Sequence, residues 1–274
     1  MSDQIIPITR SAPTIQRPPE QKMESKFPTE TINLPSKGWF YSADNPLSTG
    51  QLELKQMTAK EEDILSSKNL IQKNIVLDKL LESVVINKAI NLDEMFICDR
   101  NAAFYAIRRL AYGDDYEAVL SCGRCGKENS IMIDLGKIDN KPFEFEKHQQ
   151  GENSFPFTLP VSGVNLTYKL LTKKDENSID QELVGLAKIT KDLSREVTTR
   201  LSHVITSVDG NSERSRIRKF VMEEFLSRDS LAFRKHIREN MPDIDTRFDF
   251  SCAHCSLERK EDAPMGVSFF WPNR

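Results

Sequence analysis

Four of the five cysteines in this 274-residue chain fall in two matching stretches, SCGRC at 121–125 and SCAHC at 251–255. A C-x-x-C turn aims two thiolates at one point, so each stretch supplies half of a tetrahedral site. Cys122, Cys125, Cys252 and Cys255 together supply a whole one. Four thiolates satisfy a zinc ion and leave no open coordination position, so the expected site is structural, with one Zn2+ per chain. His254 lies inside the second stretch, but the thiolates already fill the site and the histidine is expected to be solvated. Cys98, in MFICDR, reads as a small apolar core residue.

Paired cysteines also serve disulfide and redox chemistry. Two disulfides would need an oxidising compartment, but MSDQIIPITRSAPTIQ lacks the charged-then-apolar order of a secretory signal. No apolar run reaches transmembrane length, so a soluble chain in reducing cytoplasm is expected. A thioredoxin-like pair sits at a helix N-terminus, where the dipole lowers a thiol pKa. Here each pair follows a strand-like run, DYEAVLS at 115–121 and RFDFS at 247–251, which favours zinc knuckles.

Catalytic patterns are absent. The chain has no glycine-rich phosphate loop, no H-E-x-x-H and no G-x-S-x-G. The acidic run KEED at 60–63 suits the first turn of a helix, where negative charge is favoured by the dipole. No enzymatic activity is expected. A net charge of -3 argues against nucleic acid as the main partner. The densest basic run, ERSRIRKF at 213–220, reads as the wet face of a helix whose apolar side is Ile217, Phe220, Val221 and Phe225. Around the knuckles, Arg124, Lys127, Arg259 and Lys260 alternate with Glu128, Glu258, Glu261 and Asp262. That mixture weakens the alternative reading, a zinc-dependent nucleic-acid-binding or transcription module.

The elements that must position the cysteines are written twice. LPSKG at 34–38 is echoed by LPVSG at 159–163, and QLELKQMTAKEED at 51–63 by NLTYKLLTKKDEN at 165–177. In both, an alternating strand runs into a threonine, Thr58 or Thr172, with Glu61 or Asp175 three residues later. Glu61 completes a capping-box pattern, and Asp175 favours the same helix start through the dipole. LLESVVINKAIN at 80–91 resembles RLSHVITSVDGN at 200–211. Helical stretches at 99–113 and 228–242, each starting at an aspartate (Asp99, Asp229), then precede the knuckles and are stopped by Gly113 and Pro242.

The fold class expected is α+β and internally duplicated. Each half runs strand, helices, strand, zinc knuckle, strand, and a pseudo-twofold arrangement joins the halves at one zinc site. Residues 31–150 would form the first half and 151–274 the second, with a polar linker at 146–154. Residues 1–30, with prolines at 7, 13, 18, 19 and 28, would be an extended or disordered arm. A metal clamp between the halves closes a loop of more than a hundred residues, where a cross-link contributes about 4 kcal/mol by chain entropy.

A family resemblance rests on NLPSKGWFY, MTAKEEDIL, the CDR before a helix, Arg109 with Tyr112 and Gly113, both C-x-x-C pairs, LTKKDE, the DG at 209–210 and the terminal FFWP. With these, the chain from about residue 30 to 272 resembles the baseplate hub and hub-assembly proteins of contractile-tailed, T-even-type bacteriophages. The resemblance implies a non-enzymatic protein that builds or forms part of a tail-tip baseplate, with other tail and hub proteins as partners and no membrane. It assigns no ligand residues beyond the four cysteines.

Overall fold

The Leu52 and Leu54 alternation buries one face of QLELK, and this stretch forms strand β2 (Gln51–Lys55), antiparallel to β1 (Thr29–Asn33). A computed structural model of the chain describes residues 28–189 and 194–271. Most of the arm read at 1–30 lies outside the described residues, and β1 already begins at Thr29. Next come α1 (Ala59–Ser66), α2 (Lys68–Gln72), α3 (Val76–Val84) and α4 (Ile97–Tyr112), then a hairpin of β3 (Asp115–Ser121) and β4 (Glu128–Asp134). The later half has β5 (Phe155–Thr158), β6 (Asn165–Tyr168), α5 (Lys173–Ile189), α6 (Glu196–Val204) and β7 (Ile205–Val208). It ends with α7 (Arg214–Lys219), α8 (Ser227–Asn240) and a hairpin of β8 (Arg247–Ser251) and β9 (Glu258–Asp262). The described residues thus form a mixed α+β fold with small antiparallel sheets, one of three strands (β5-β6-β7) and three of two.

The two strand-to-helix junctions share one hydrogen-bond plan. Glu61 accepts from the Thr58 N–H (2.9 Å) and hydroxyl (2.7 Å), and pairs with the Lys55 ammonium at 2.7 Å. Asp175 accepts from the Thr172 N–H and hydroxyl, both at 3.0 Å, and pairs with Lys169 at 2.7 Å. The shorter aspartate therefore also closes a capping box, where the sequence suggested only a dipole effect. Beyond the junctions, Leu54 bridges Val85 in the first half, and Tyr168 pairs with Ile205 in the second, where the contact grows into β7.

Glu61 has no exposed side-chain surface. Burial alone would raise its pKa, but the Lys55 ammonium and the Ser83 and Thr58 donors bring it from the ordinary 4.5 down to about 2. A folded pKa below the unfolded one means stability that is present above the unfolded value and lost as pH falls through the folded one. A shift of this size is worth about 3 kcal/mol at neutral pH. Urea titration of Glu61→Gln beside the native chain should show that deficit at pH 7 and a shrinking one as pH drops below the ordinary carboxylate range. A deficit independent of pH would contradict this assignment.

Two buried aspartates, which the sequence marked only as helix starts, each tie down a distant loop. Asp99, in the first turn of α4, accepts from the Ser36 N–H (3.0 Å) and hydroxyl (2.7 Å) and from the Tyr41 hydroxyl (2.8 Å). Asp229, in the first turn of α8, accepts from the N–H groups of Val161 (2.8 Å) and Ser162 (3.0 Å). The loops they hold are LPSKG and LPVSG. Each ends in a glycine with φ of 72°, a conformation that side chains resist, and a Cβ on Gly38 would lie 2.4 Å from the Ser48 carbonyl oxygen.

One continuous apolar core spans both halves, with Ala103, Phe104 and Ile107 of α4 buried in it. Cys98 is buried there as expected, and burial pushes its thiol well up. The C-terminal turn Val267–Phe270 folds back onto α4, packing Phe269 at a tilt against Tyr105 and Phe270 edge-on against Phe104, while Arg108 Nε donates to the Phe269 carbonyl at 3.0 Å. The polar stretch at 146–154 is not a loose linker. The His148 ring stacks on Phe143, its carbonyl accepts from Trp39 Nε1, and Asn153 bonds both backbone polar groups of Leu170. In α7 and the π-helical turn after it (Phe220–Glu224), Ile217, Phe220 and Val221 are buried, as the basic run implied. Arg216 and Arg218 pair with Glu224 and Glu182.

Candidate metal centre

Each C-x-x-C sits in the tight turn of a hairpin, where short-range hydrogen bonds fix it. The Cys122 N–H donates to the Lys127 carbonyl at 2.9 Å, and the Cys252 N–H to the Leu257 carbonyl at 2.9 Å. The turns then close through Gly126 N–H to the Cys122 carbonyl and Ser256 N–H to the Cys252 carbonyl. Gly126 and Ser256 both have positive φ, 70° and 54°, a strained choice for the serine. Strands β3 and β8 coincide with the runs DYEAVLS and RFDFS that pointed to knuckles.

The fold brings both knuckles to one locus. The four sulfurs of Cys122, Cys125, Cys252 and Cys255 all lie within 4.8 Å of one another. The cross-hairpin pairs Cys122–Cys255 and Cys125–Cys252 are each 3.7 Å apart. A tetrahedron with zinc–sulfur bonds of about 2.3 Å has edges of about 3.8 Å, so the donor set has the size zinc requires. Exchanging the two knuckles turns one of these pairs into the other, which gives the cluster a local twofold character.

The surroundings suit thiolates. The Arg124 N–H points at Cys122 Sγ and the His254 N–H at Cys252 Sγ, each at 3.4 Å. Backbone N–H groups of Cys125 and Arg124 lower the Cys122 pKa. Burial pushes the Cys252 thiol up, but the N–H groups of His254 and Cys255 outweigh it and bring the pKa to about 6. Cys255 gains from the Leu257 N–H, yet burial and the neighbouring thiols push it up to about 12. A cation at the centre would favour the thiolate at each of these sulfurs and offset their mutual repulsion.

Phe250 is buried beside Cys122 and Cys252, with Leu120, Ile131, Phe248 and Leu257 around them. Asn129 of the first hairpin latches the second by accepting from the Ala253 N–H at 2.9 Å. His254 is exposed and its Nε2 lies 3.3 Å from the Glu128 carbonyl, outside the sulfur cluster, as its reading as a solvated residue required. The Asn129 latch escaped sequence reading because its partner lies in the other half.

A family model described as T4 bacteriophage base plate protein covers residues 29–271, which includes both knuckles and both aspartate-held loops. The curated proteins and the solved structures contain no match. The chain belongs to the T4 bacteriophage base plate protein family.

Proposed function

We propose that this chain is a non-enzymatic, zinc-stabilised structural or assembly protein of the phage tail baseplate. It would act through contacts with other tail and baseplate hub proteins, in the host cytoplasm during assembly and, as a retained subunit rather than a departing assembly factor, in the virion tail. The observation that carries this reading is the family match across 29–271. The sulfur cluster supports the zinc: Cys122, Cys125, Cys252 and Cys255 would be its ligands, one ion per chain, and its work is to clamp residues 31–150 to 151–274. The clamp needs no open coordination site, consistent with a building role. Among the described residues no helix is long and apolar enough to cross a membrane.

The same proposal includes an internal duplication. Paired capping boxes, paired loop-holding aspartates and paired knuckles follow one another in the same order in both halves, which supports descent of the two from one unit joined about a pseudo-twofold at the metal. Quantitative proteomics of purified tails and of infected-cell lysate tests the function. Presence in finished particles, or in baseplate intermediates only, would fit a subunit or an assembly factor respectively, and absence from both would refute the role. The clamp makes a separate prediction. Residues 31–150 expressed alone hold two thiolates and lack the Phe269 and Phe270 cover on α4, so they should show no cooperative thermal transition. A cooperative melt without zinc would mean independent halves.

A further inference from the structure

Inside the chain, the segment before α4 docks onto the start of α5. The Ile97 N–H donates to the Leu171 carbonyl (2.9 Å), the Lys173 N–H to the Met95 carbonyl (3.1 Å) and the Lys174 N–H to the Asp93 carbonyl (2.8 Å). Phe96 bridges Thr172 and is buried, 3% exposed. The contact satisfies first-turn N–H groups that a helix cannot satisfy itself.

Both halves carry both sides of this contact, but among the described residues only one copy is used. LDEMFICD at 92–99 is matched by MEEFLSRD at 222–229, the segment before α8. The matching residues Phe96 and Leu226 share one backbone conformation, φ -62°, ψ 146° and φ -58°, ψ 140°. The receiving side, Leu171–Thr172–Lys173, is matched by Met57–Thr58–Ala59, set by the same threonine capping box. Yet Leu226 is 48% exposed, with Met222 at 50%, Leu231 at 62% and Val161 at 48% in the neighbouring turn, helix and loop. Among the described residues the Ser227 and Ala59 N–H groups and the Met57 and Phe225 carbonyls have no hydrogen-bond partner.

We propose that the 222–227 segment of one copy docks on the 57–60 segment of a second copy of this chain, repeating between molecules the contact that 92–97 makes with 171–174 within one. The Ser227 N–H would donate to the Met57 carbonyl, the Ala59 N–H to the Phe225 carbonyl, and Leu226 would take the buried place that Phe96 has. Glu223 stands where Asp93 does, and Lys60 where Lys174 does, so the flanking charges keep their complementary signs. The two surfaces differ, so the contact is head-to-tail and propagates until a ring closes or a filament forms. This inference rests on the duplication proposed above, and its test leaves the zinc clamp and the tail role untouched.

Light scattering after size-exclusion chromatography of the full-length, zinc-loaded chain tests it. Leu226→Asp and Ala59→Asp each place a carboxylate at or beside a helix start, where it favours the helix, so both variants should fold with unchanged melting and metal content. The native chain should exceed its 31.4 kDa monomer mass as concentration rises into the hundred-micromolar range. Each variant alone should stay monomeric. Their mixture should double in mass, because one supplies an intact 57–60 surface and the other an intact 222–227 surface. A native chain that stays monomeric, for instance because another segment or another tail protein covers Leu226, would overturn the proposal. So would oligomers that survive either substitution.

Discussion

Serine at any one of Cys122, Cys125, Cys252 or Cys255 is expected to take bound zinc from about one equivalent to nearly none. Structural zinc in small domains contributes about 10–16 kcal/mol of apparent binding free energy. Three thiolates and a hydroxyl hold the ion far more weakly. The loss should appear as a lower and broader melt, and the native protein treated with a strong chelator should behave the same way, because without the ion the hairpins keep only latches such as Asn129 to Ala253. Cys98→Ser should leave zinc unchanged, since that sulfur is buried in the main core. Metal analysis under reducing conditions decides the matter. Two equivalents per chain, none in the native protein, or full zinc in a knuckle variant would each rule out a single shared site.

The second large effect is expected at Asp99. Its carboxyl is fully buried, and burial pushes its pKa up to about 6 against the pull of the Ser36 and Tyr41 donors. Asp99→Ala would strand the Ser36 N–H and hydroxyl and the Tyr41 hydroxyl away from water, at about 1–3 kcal/mol for each group left unsatisfied. Tyr41 also accepts from the Phe96 N–H at 2.9 Å, so the damage reaches the segment that docks onto the other half. A loss of about 3–5 kcal/mol is expected by denaturant unfolding. Asp229→Ala strands two backbone N–H groups beside a partly exposed loop and should cost less, about 1–3 kcal/mol. A larger loss at Asp229 than at Asp99 would contradict this account of the two loops.

The sequence by itself determined whatever depends on neighbours within a few residues. The knuckle turns, the strands leading into them, the Thr58 box with Glu61, the stop at Gly113 and the buried side of α7 are set by spacing and local hydrogen bonds, so they read directly from residue type. The pairing of the two half-sites was also legible, because a half-empty tetrahedron requires another half and the chain offers only one. The T-even baseplate family was legible from longer motifs, and the family match bears it out.

Tertiary structure decided where charged and aromatic residues find partners far along the chain. Asp99 reads from the sequence as a helix start, but its hydrogen-bond partners Ser36 and Tyr41 lie 63 and 58 residues away, and those distant pairings offset the cost of burying a carboxylate. Stretch 146–154 reads as a linker because its residues are polar. Its packing comes from Trp39 and Leu170, which no local rule connects to it. Phe96 and Leu226 carry the same backbone and matching neighbours, yet one is buried and the other is not. Only the tertiary arrangement selects which of the two matching segments is covered, because burial belongs to the pair of surfaces that meet and not to either segment alone.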